Sequence, residues 1–219
     1  MASEVQAFLP GVGRIIQSDA CVSEGAAWLA AQESRFGHAL ELTGALPLRR
    51  RPDGFAELLS AIVSQQVSVA SANAIWKRMK DAKLTGPRKI LWATDEDLRA
   101  AGLSRQKIRY ARTLAEARID FIALRDAPDA EVVETLVQVP GVGVWTAEIY
   151  AMFSLGRADV FAHGDLALQE AARVLFDLPA RPKEREMRQM AEAWSPWRSV
   201  AARILWAYYR VAKDREGIR

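Results

Sequence analysis

Asp165 is the residue on which chemistry could turn. It follows Gly164 and opens a run, Leu166-Ala167-Leu168, that reads as the start of a helix. A carboxylate in that place has two readings. It can accept the backbone N–H groups of the first helical turn, as Asp, Asn, Ser and Thr do at a helix N-cap. It can also stand beside a reacting centre, to stabilise developing positive charge or to position and activate water. The two are compatible, because the positive end of a helix favours an ionised carboxylate. A second constellation is Pro140-Gly141-Val142-Gly143, lying between two apolar runs and followed by Val144-Trp145-Thr146-Ala147. Glycines at 141 and 143 permit positive φ and leave the backbone N–H groups unshielded. With a helix starting behind them, those donors form a nest for a phosphate. An ordinary helix–helix turn is the plain alternative, in which Val142 simply tucks between the helices. The loop lacks the Lys-Ser/Thr of a nucleotide-triphosphate loop, and no strand precedes it as a dinucleotide fingerprint requires. The third stretch is Ser64-Gln65-Gln66-Val67-Ser68, a polar break after an apolar helix face. One glutamine could protrude there, or the segment is only a polar turn.

The elements that must position these residues are helical almost throughout. Residues 22–36 read as one helix, and Arg49 to Gly54 as a loop and domain boundary. Phe55, Leu58, Leu59, Ile62 and Val63 recur at i, i+3, i+4, i+7 and i+8, one buried face of a helix. Ser68 caps a helix carrying Ala72, Ile75, Trp76 and Met79. Thr94 with Asp97 resembles a capping box for a short helix ending at Gly102, and Ser104 caps the next, with Ile108, Ala111, Leu114 and Ala115 inward. A helix from Asp129 is stopped by Pro140, and another runs from about Val144 to Leu155 with Gly156 as its stop. Ser195-Pro196 reads as a cap with proline at the first helical position, opening a last helix with Trp197, Val200, Ala201, Ile204, Leu205 and Tyr208 on one stripe. Trp206 lies off that stripe. Pro10–Gly13 repeats the Pro-Gly-Val-Gly string and reads as a turn, with too few residues before it for a supporting helix.

Composition bounds the rest. The chain has 219 residues, half of them hydrophobic, enough for one large helical core or two lobes. Its single cysteine, Cys21, excludes an internal disulfide, a four-cysteine cluster and a cysteine zinc site. Two histidines, His38 and His163, are too few for a histidine-rich metal site. No apolar run approaches the roughly 20 residues of a membrane span, and the N-terminus has no signal-peptide pattern. An intracellular location is expected, in the cytoplasm and nucleoid of a bacterium or in a nucleus. The net charge of +3 and pI near 9.2 are mildly basic. Arg49–Arg51, the group Arg105, Lys107, Arg109 and Arg112, and the arginine-rich stretch from Arg173 concentrate that charge, though a solvated surface is the plain reading.

Val139 to Ala147, followed by Asp159-Val160-Phe161-Ala162-His163-Gly164-Asp165-Leu166, resembles the helix-hairpin-helix, Gly/Pro-rich loop and catalytic aspartate (HhH-GPD) of the base-excision DNA glycosylases. Ile62 to Ser68 and Ser195 to Ser199 are similar to the 3-methyladenine DNA glycosylase II subfamily, and the resemblance runs from about Phe55 to Tyr209. It implies an all-α, two-lobed fold with the active site in the cleft between the lobes. Residues 1–51 would pack with a C-terminal lobe of 161–219, and 52–160 would form a middle lobe ending in the helix-hairpin-helix at about 131–155. The N-terminal sheet domain of some members is not expected, since too few residues precede Phe55. The resemblance makes Asp165 the catalytic residue. It places Trp145, Trp206 and Ile149 at a base pocket, and Pro140, Gly141, Val142, Gly143 and Thr146 against the DNA backbone. Core packing is the alternative for both tryptophans, and Trp145 shares a face with Ile149 and Met152. Gln66, or Gln65 beside it, takes the wedge position that fills the hole left by a flipped base. Arg198 resembles a site arginine or a salt-bridge partner, and His163 reads as incidental.

The implied reaction is hydrolysis of the N-glycosidic bond of an alkylated purine, 3-methyladenine and also 7-methylguanine, in duplex DNA, leaving an abasic site. Lyase-type relatives carry a lysine where this chain has Trp145, so strand cutting through a Schiff base is not implied. No catalytic metal or cofactor is expected. A monovalent cation at the hairpin carbonyls follows from the resemblance only. The expected partner is damaged double-stranded DNA, with no membrane and no oligomer. Three rivals stand beside this reading: a non-enzymatic hairpin module that binds DNA structure, a glycosylase for an oxidised or deaminated base, and a helical protein-interaction domain.

Overall fold

The structure is a computed structural model, and it describes residues 12–216. Twelve α-helices follow one another among the described residues: α1 Asp19–Gln32, α2 Ser34–Thr43, α3 Phe55–Ser64, α4 Val69–Asp81, α5 Pro87–Trp92, α6 Asp95–Ala100, α7 Arg105–Glu116, α8 Asp129–Val137, α9 Val144–Tyr150, α10 Leu166–Leu175, α11 Glu184–Glu192 and α12 Arg198–Glu216. The only extended pairing among them is one antiparallel bridge between Ile15 and Arg157. The fold is all-α, as the periodicity predicts. No helix among the described residues is long and apolar enough to cross a membrane.

The chain divides into two compact units. One holds the described residues up to Arg50 together with those from Ala151, and the other is Arg51–Tyr150. The sequence reading drew these boundaries after 51 and after 160.

The Arg51–Tyr150 unit is built on α3, whose residues Leu58, Leu59, Ile62 and Val63 are wholly buried. It packs on α4 and α7, and α7 also receives α5 and α6. Each such side chain removed from water contributes about 1.5–3 kcal/mol, so a single Ile62→Ala would cost about 2–5 kcal/mol. Local polar signals set the helix starts. Ser68 accepts from Ser71 N at 3.2 Å, Ser104 from Lys107 N at 3.3 Å, and Thr94 with Asp97 forms the reciprocal capping box. The Tyr150 hydroxyl accepts the Gly54 N–H at 2.7 Å, tying the end of α9 to the entry of α3. Desolvation pushes that phenol up to about 12.

The other unit centres on α12, which packs against α10, α2 and α1. Val200, Ala201, Ile204 and Leu205 are fully buried, and Phe36, Phe161, Phe176 and Trp194 form an aromatic cluster beside them. Gly25 allows α1 to approach α12, since a Cβ there would lie 2.6 Å from the Trp197 ring. Of the Pro10–Gly13 string, Pro10 and Gly11 lie outside the described residues. Val12 is buried, and its carbonyl accepts from Arg157 Nη1 at 2.8 Å.

Several local expectations are corrected. Residues 22–36 are not one helix: Glu33 is extended, ending α1, and its carboxylate accepts from Arg35 N to start α2. The helix expected through Leu155 is α-helical only to Tyr150, and Ala151–Leu155 is a π-helical turn before Gly156 at φ 78. Ser195-Pro196 does not open the last helix, which starts at Arg198. The Ser195 hydroxyl instead donates to Asp159 Oδ2 at 2.7 Å. The periodicity missed α5 and α11. The first is six residues long, and the second is mostly charged and polar, burying only Met187 and Ala191.

Candidate functional site

In the Arg51–Tyr150 unit, α8 and α9 are joined by the turn that the Pro-Gly-Val-Gly string predicts. Val139 N bonds Leu136 O at 3.2 Å and Val142 N bonds Val139 O at 2.9 Å, which reverses the chain. Val142 is 5% exposed and anchors the turn, while Pro140 and Gly143 face solvent. Ala147 N bonds Gly143 O at 3.0 Å and so closes the first turn of α9. The backbone N–H groups of a first helical turn point out of its N-terminal end, which is positive, and this is the geometry that binds a phosphate oxygen.

The two glycines have different reasons. Gly141 sits at φ 97, and a Cβ on it would lie 2.5 Å from the ring of Tyr110. Both the backbone and the close approach demand glycine. Gly143 does not use the positive φ open to it, and a Cβ there would meet open space. Thr146, expected at the DNA backbone, is 5% exposed, so its side chain belongs to the interior and only its amide sits in the first turn.

Gln65 and Gln66 part company. Gln65 ends α3 and its Nε2 donates to Gly141 O at 3.0 Å. Gln66 is exposed, in the left-handed region at φ 56. Lys107 completes the joint by donating from Nζ to Val63 O at 2.5 Å, and partial burial holds its pKa below the ordinary lysine value. The turn after α3 is thus fastened to the hairpin by Gln65 and to α7 by Lys107, while Tyr110 of α7 backs the hairpin. Sequence reading missed Tyr110 and Lys107 as parts of this assembly. The requirement for glycine at 141 signals a close neighbour but does not name it. On α9, Trp145 is 46% exposed, so it is not a core tryptophan, and Ile149 is half-buried.

In the other unit, Asp165 is the N-cap of α10. Its Oδ1 accepts from Ala167 N at 2.9 Å and Leu168 N at 3.0 Å. The same oxygen accepts the indole N–H of Trp206 at 3.2 Å. Trp206 leans on Phe153 with ring centroids 5.8 Å apart and planes at 34°. The Arg203 guanidinium lies 4.7 Å from that phenyl ring. Arg203 is 2% exposed and donates to Ser199 O at 2.8 Å and Leu48 O at 3.2 Å. Desolvation, with Arg49 and Arg50 nearby, lowers its pKa to about 10. A buried, hydrogen-bonded side chain therefore holds a phenyl, the phenyl holds an indole, and the indole orients the carboxylate. Half-buried Asp165 is thus fixed in direction at the N-terminal end of α10. Phe153 and Arg203 carried no sequence signal beyond apolar and basic character.

Arg198 pairs with Asp159 at 3.4 Å and donates to Ala191 O at 3.0 Å, bracing the segment before α12. His163 is 7% exposed, with its ring against Phe161 and its carbonyl accepting from Gln169 Nε2 at 3.0 Å.

The chain is similar to known proteins over most of its length. Residues 59–196 match the family model described as HhH-GPD superfamily base excision DNA repair protein. The chain is 33% identical over 178 residues to DNA-3-methyladenine glycosylase 1 of Schizosaccharomyces pombe, an overlap of 77% of this chain and 78% of that one. The crystal structure of a DNA-3-methyladenine glycosidase from Bacillus halodurans shares the fold with a TM-score of 0.77 at 35% identity, over 88% of this chain and 91% of that one. The S. pombe 3-methyladenine DNA glycosylase solved in complex with abasic DNA gives a TM-score of 0.73 at 30% identity, over 84% and 95% of the two chains.

Proposed function

The chain belongs to the HhH-GPD superfamily of base excision DNA repair proteins, and from that premise we propose that it is a monofunctional glycosylase that hydrolyses the N-glycosidic bond of alkylated purines in duplex DNA. The bases are 3-methyladenine and 7-methylguanine, and the product is an abasic site, the form of DNA held by the S. pombe relative. The observation that carries the reading is Asp165, a carboxylate oriented by two backbone amides and one indole N–H on the same oxygen.

Breaking the glycosidic bond puts positive charge on the sugar, as in other glycoside hydrolysis. An anion already fixed in place stabilises that charge without reorganising. An alkylated purine is itself cationic and leaves without strong acid assistance, so one carboxylate suffices to stabilise the sugar cation and position water. The base must first leave the stack. We assign the α9 amides to a backbone phosphate, Gln66 to the space the base vacates, and Trp206 to the face of the base. Trp145 and Ile149 carry the pocket assignment on the resemblance, and Trp145 offers its ring rather than burying it. Trp145 has no amine, so the hairpin offers no Schiff-base nucleophile and the strand stays intact. Oxygen donors suit a hard monovalent cation at the hairpin. Val139 O and Gly141 O each already accept one hydrogen bond there, and such an ion would share them with Val142 N and Gln65. No step depends on it.

Base release from methylated duplex DNA tests the reading, with free bases and strand breaks scored separately. The expected result is free 3-methyladenine or 7-methylguanine from wild type, intact strands until base treatment, and no release by Asp165→Asn, which still binds the duplex. DNA binding with no release of either base would overturn the alkylated substrate.

A further inference from the structure

The hairpin is not the only part of its unit that presents positive charge to solvent. A surface groove of about 630 Å³ runs along the N-terminal half of α7, lined by Asp95, Arg105, Gln106, Ile108, Arg109 and Arg112. Its charges divide sharply. Arg112 is committed: it donates to Asp95 at 2.8 Å and to the carbonyls of Ile90 and Ala93 at 3.1 and 2.9 Å. Asp95 stays ionised, since the Arg112 hydrogen bond, with the charges of Arg99 and Arg105 nearby, lowers its pKa. Arg105 and Arg109 are exposed, one helical turn apart on the same face, and among the described residues neither makes an ion pair. Other arginines of this unit, Arg99 and Arg125, do pair with carboxylates. The groove therefore keeps two positive charges open to solvent.

Its position gives that charge a partner. Arg109 lies over the ring of Tyr110 at 5.5 Å, Gln106 donates to the Tyr110 hydroxyl at 2.7 Å, and the same ring backs Gly141 of the hairpin. Arg109 and the hairpin residue Gly141 thus share one neighbour, the ring of Tyr110. We propose that Arg105 and Arg109 form a second phosphate-binding site for duplex DNA, continuous with the hairpin across Tyr110. Guanidinium groups suit this task because they stay charged and present forked donors to phosphate oxygens. The inference rests on the reading that this chain binds duplex DNA.

The test measures affinity for an abasic duplex as a function of salt, a readout that needs no turnover. Removing one phosphate-neutralising charge should reduce the slope of log K against log salt by about 0.9. Arg105→Ala/Arg109→Ala should flatten the slope by about one to two units and weaken binding at low salt by roughly tenfold. Arg105→Lys/Arg109→Lys should retain most of the slope. Arg185→Ala/Arg188→Ala on α11 removes the same net charge elsewhere and should leave the slope as in wild type. A wild-type slope for the alanine pair, or an equal loss in the α11 control, overturns the proposal while leaving the glycosylase reading intact. No salt-dependent binding by wild type would overturn both. Wild-type binding without release of either methylated base would overturn the alkylated substrate alone.

Discussion

Replacing Asp165 by asparagine separates its two tasks at the scale of one residue. Asparagine caps a helix about as well as aspartate, so Asp165→Asn should unfold within about 0.5 kcal/mol of wild type in urea. Base release should fall by about 10²-fold or more, because the anion is gone. Asp165→Ala loses both functions and should be about 1 kcal/mol less stable as well. Equal stability loss in the two variants, with residual release in both, would mean that the carboxylate is only a cap. Trp206 offers a finer test. Trp206→Phe keeps an aromatic ring against Phe153 but removes the N–H that reaches Asp165 Oδ1. A hydrogen bond to a charged group contributes about 1.5–3 kcal/mol, so single-turnover release should drop about tenfold or more. Duplex affinity should stay near wild type. An unchanged rate would show that the indole does not orient the carboxylate.

At the scale of elements, the hairpin predicts opposite outcomes for its two glycines. Gly141→Ala forces a side chain into positive φ and into the Tyr110 ring, and should cost about 1–3 kcal/mol of stability. Gly143→Ala meets open space at an ordinary φ, so its melting temperature should match wild type. Its methyl group would still narrow the approach to the α9 amides, and duplex affinity should fall. Calorimetry and a binding titration on both variants decide the pair, and a destabilised Gly143→Ala would contradict the geometry. Gln65 acts between elements, since its amide joins the end of α3 to the hairpin carbonyl.

At the scale of a whole unit, Tyr150 links stability to pH. The residue is 4% exposed, and desolvation raises its pKa from the ordinary 10.0 to about 12. A folded-state value above the unfolded one means that the folded unit holds its proton longer. The stabilisation is complete below about pH 10 and is lost as pH rises through about 12. The span corresponds to about 2–3 kcal/mol. Tyr150→Phe should remove that part of the alkaline loss when urea unfolding is compared from about pH 9 to 12. It should also be less stable by about 1–3 kcal/mol at neutral pH, because Gly54 N–H loses its acceptor. Identical alkaline curves for the two proteins would exclude Tyr150 as the linked group.

The sequence by itself determined what depends on neighbours along the chain. Ser68, Thr94, Ser104 and Asp165 are caps because their side chains reach amides two or three residues ahead. The amphipathic face of α3, the glycine-rich turn and the all-α class follow from periods of a few residues, and the resemblance to the family rests on strings of the same length. Tertiary structure alone decided which distant groups meet. Gln65 meets Gly141 across 76 positions and Trp206 meets Asp165 across 41, and no local pattern encodes either pair. The same holds where local signals were misread. Glu33 breaks a stretch of good helix formers, and Ser195 gives its hydroxyl to Asp159, 36 residues away. Local energies of about 1 kcal/mol set a preference that a buried or charged tertiary partner can match or exceed. The chain therefore spells its helices and its chemical groups, and packing decides which of those groups are held in position to act.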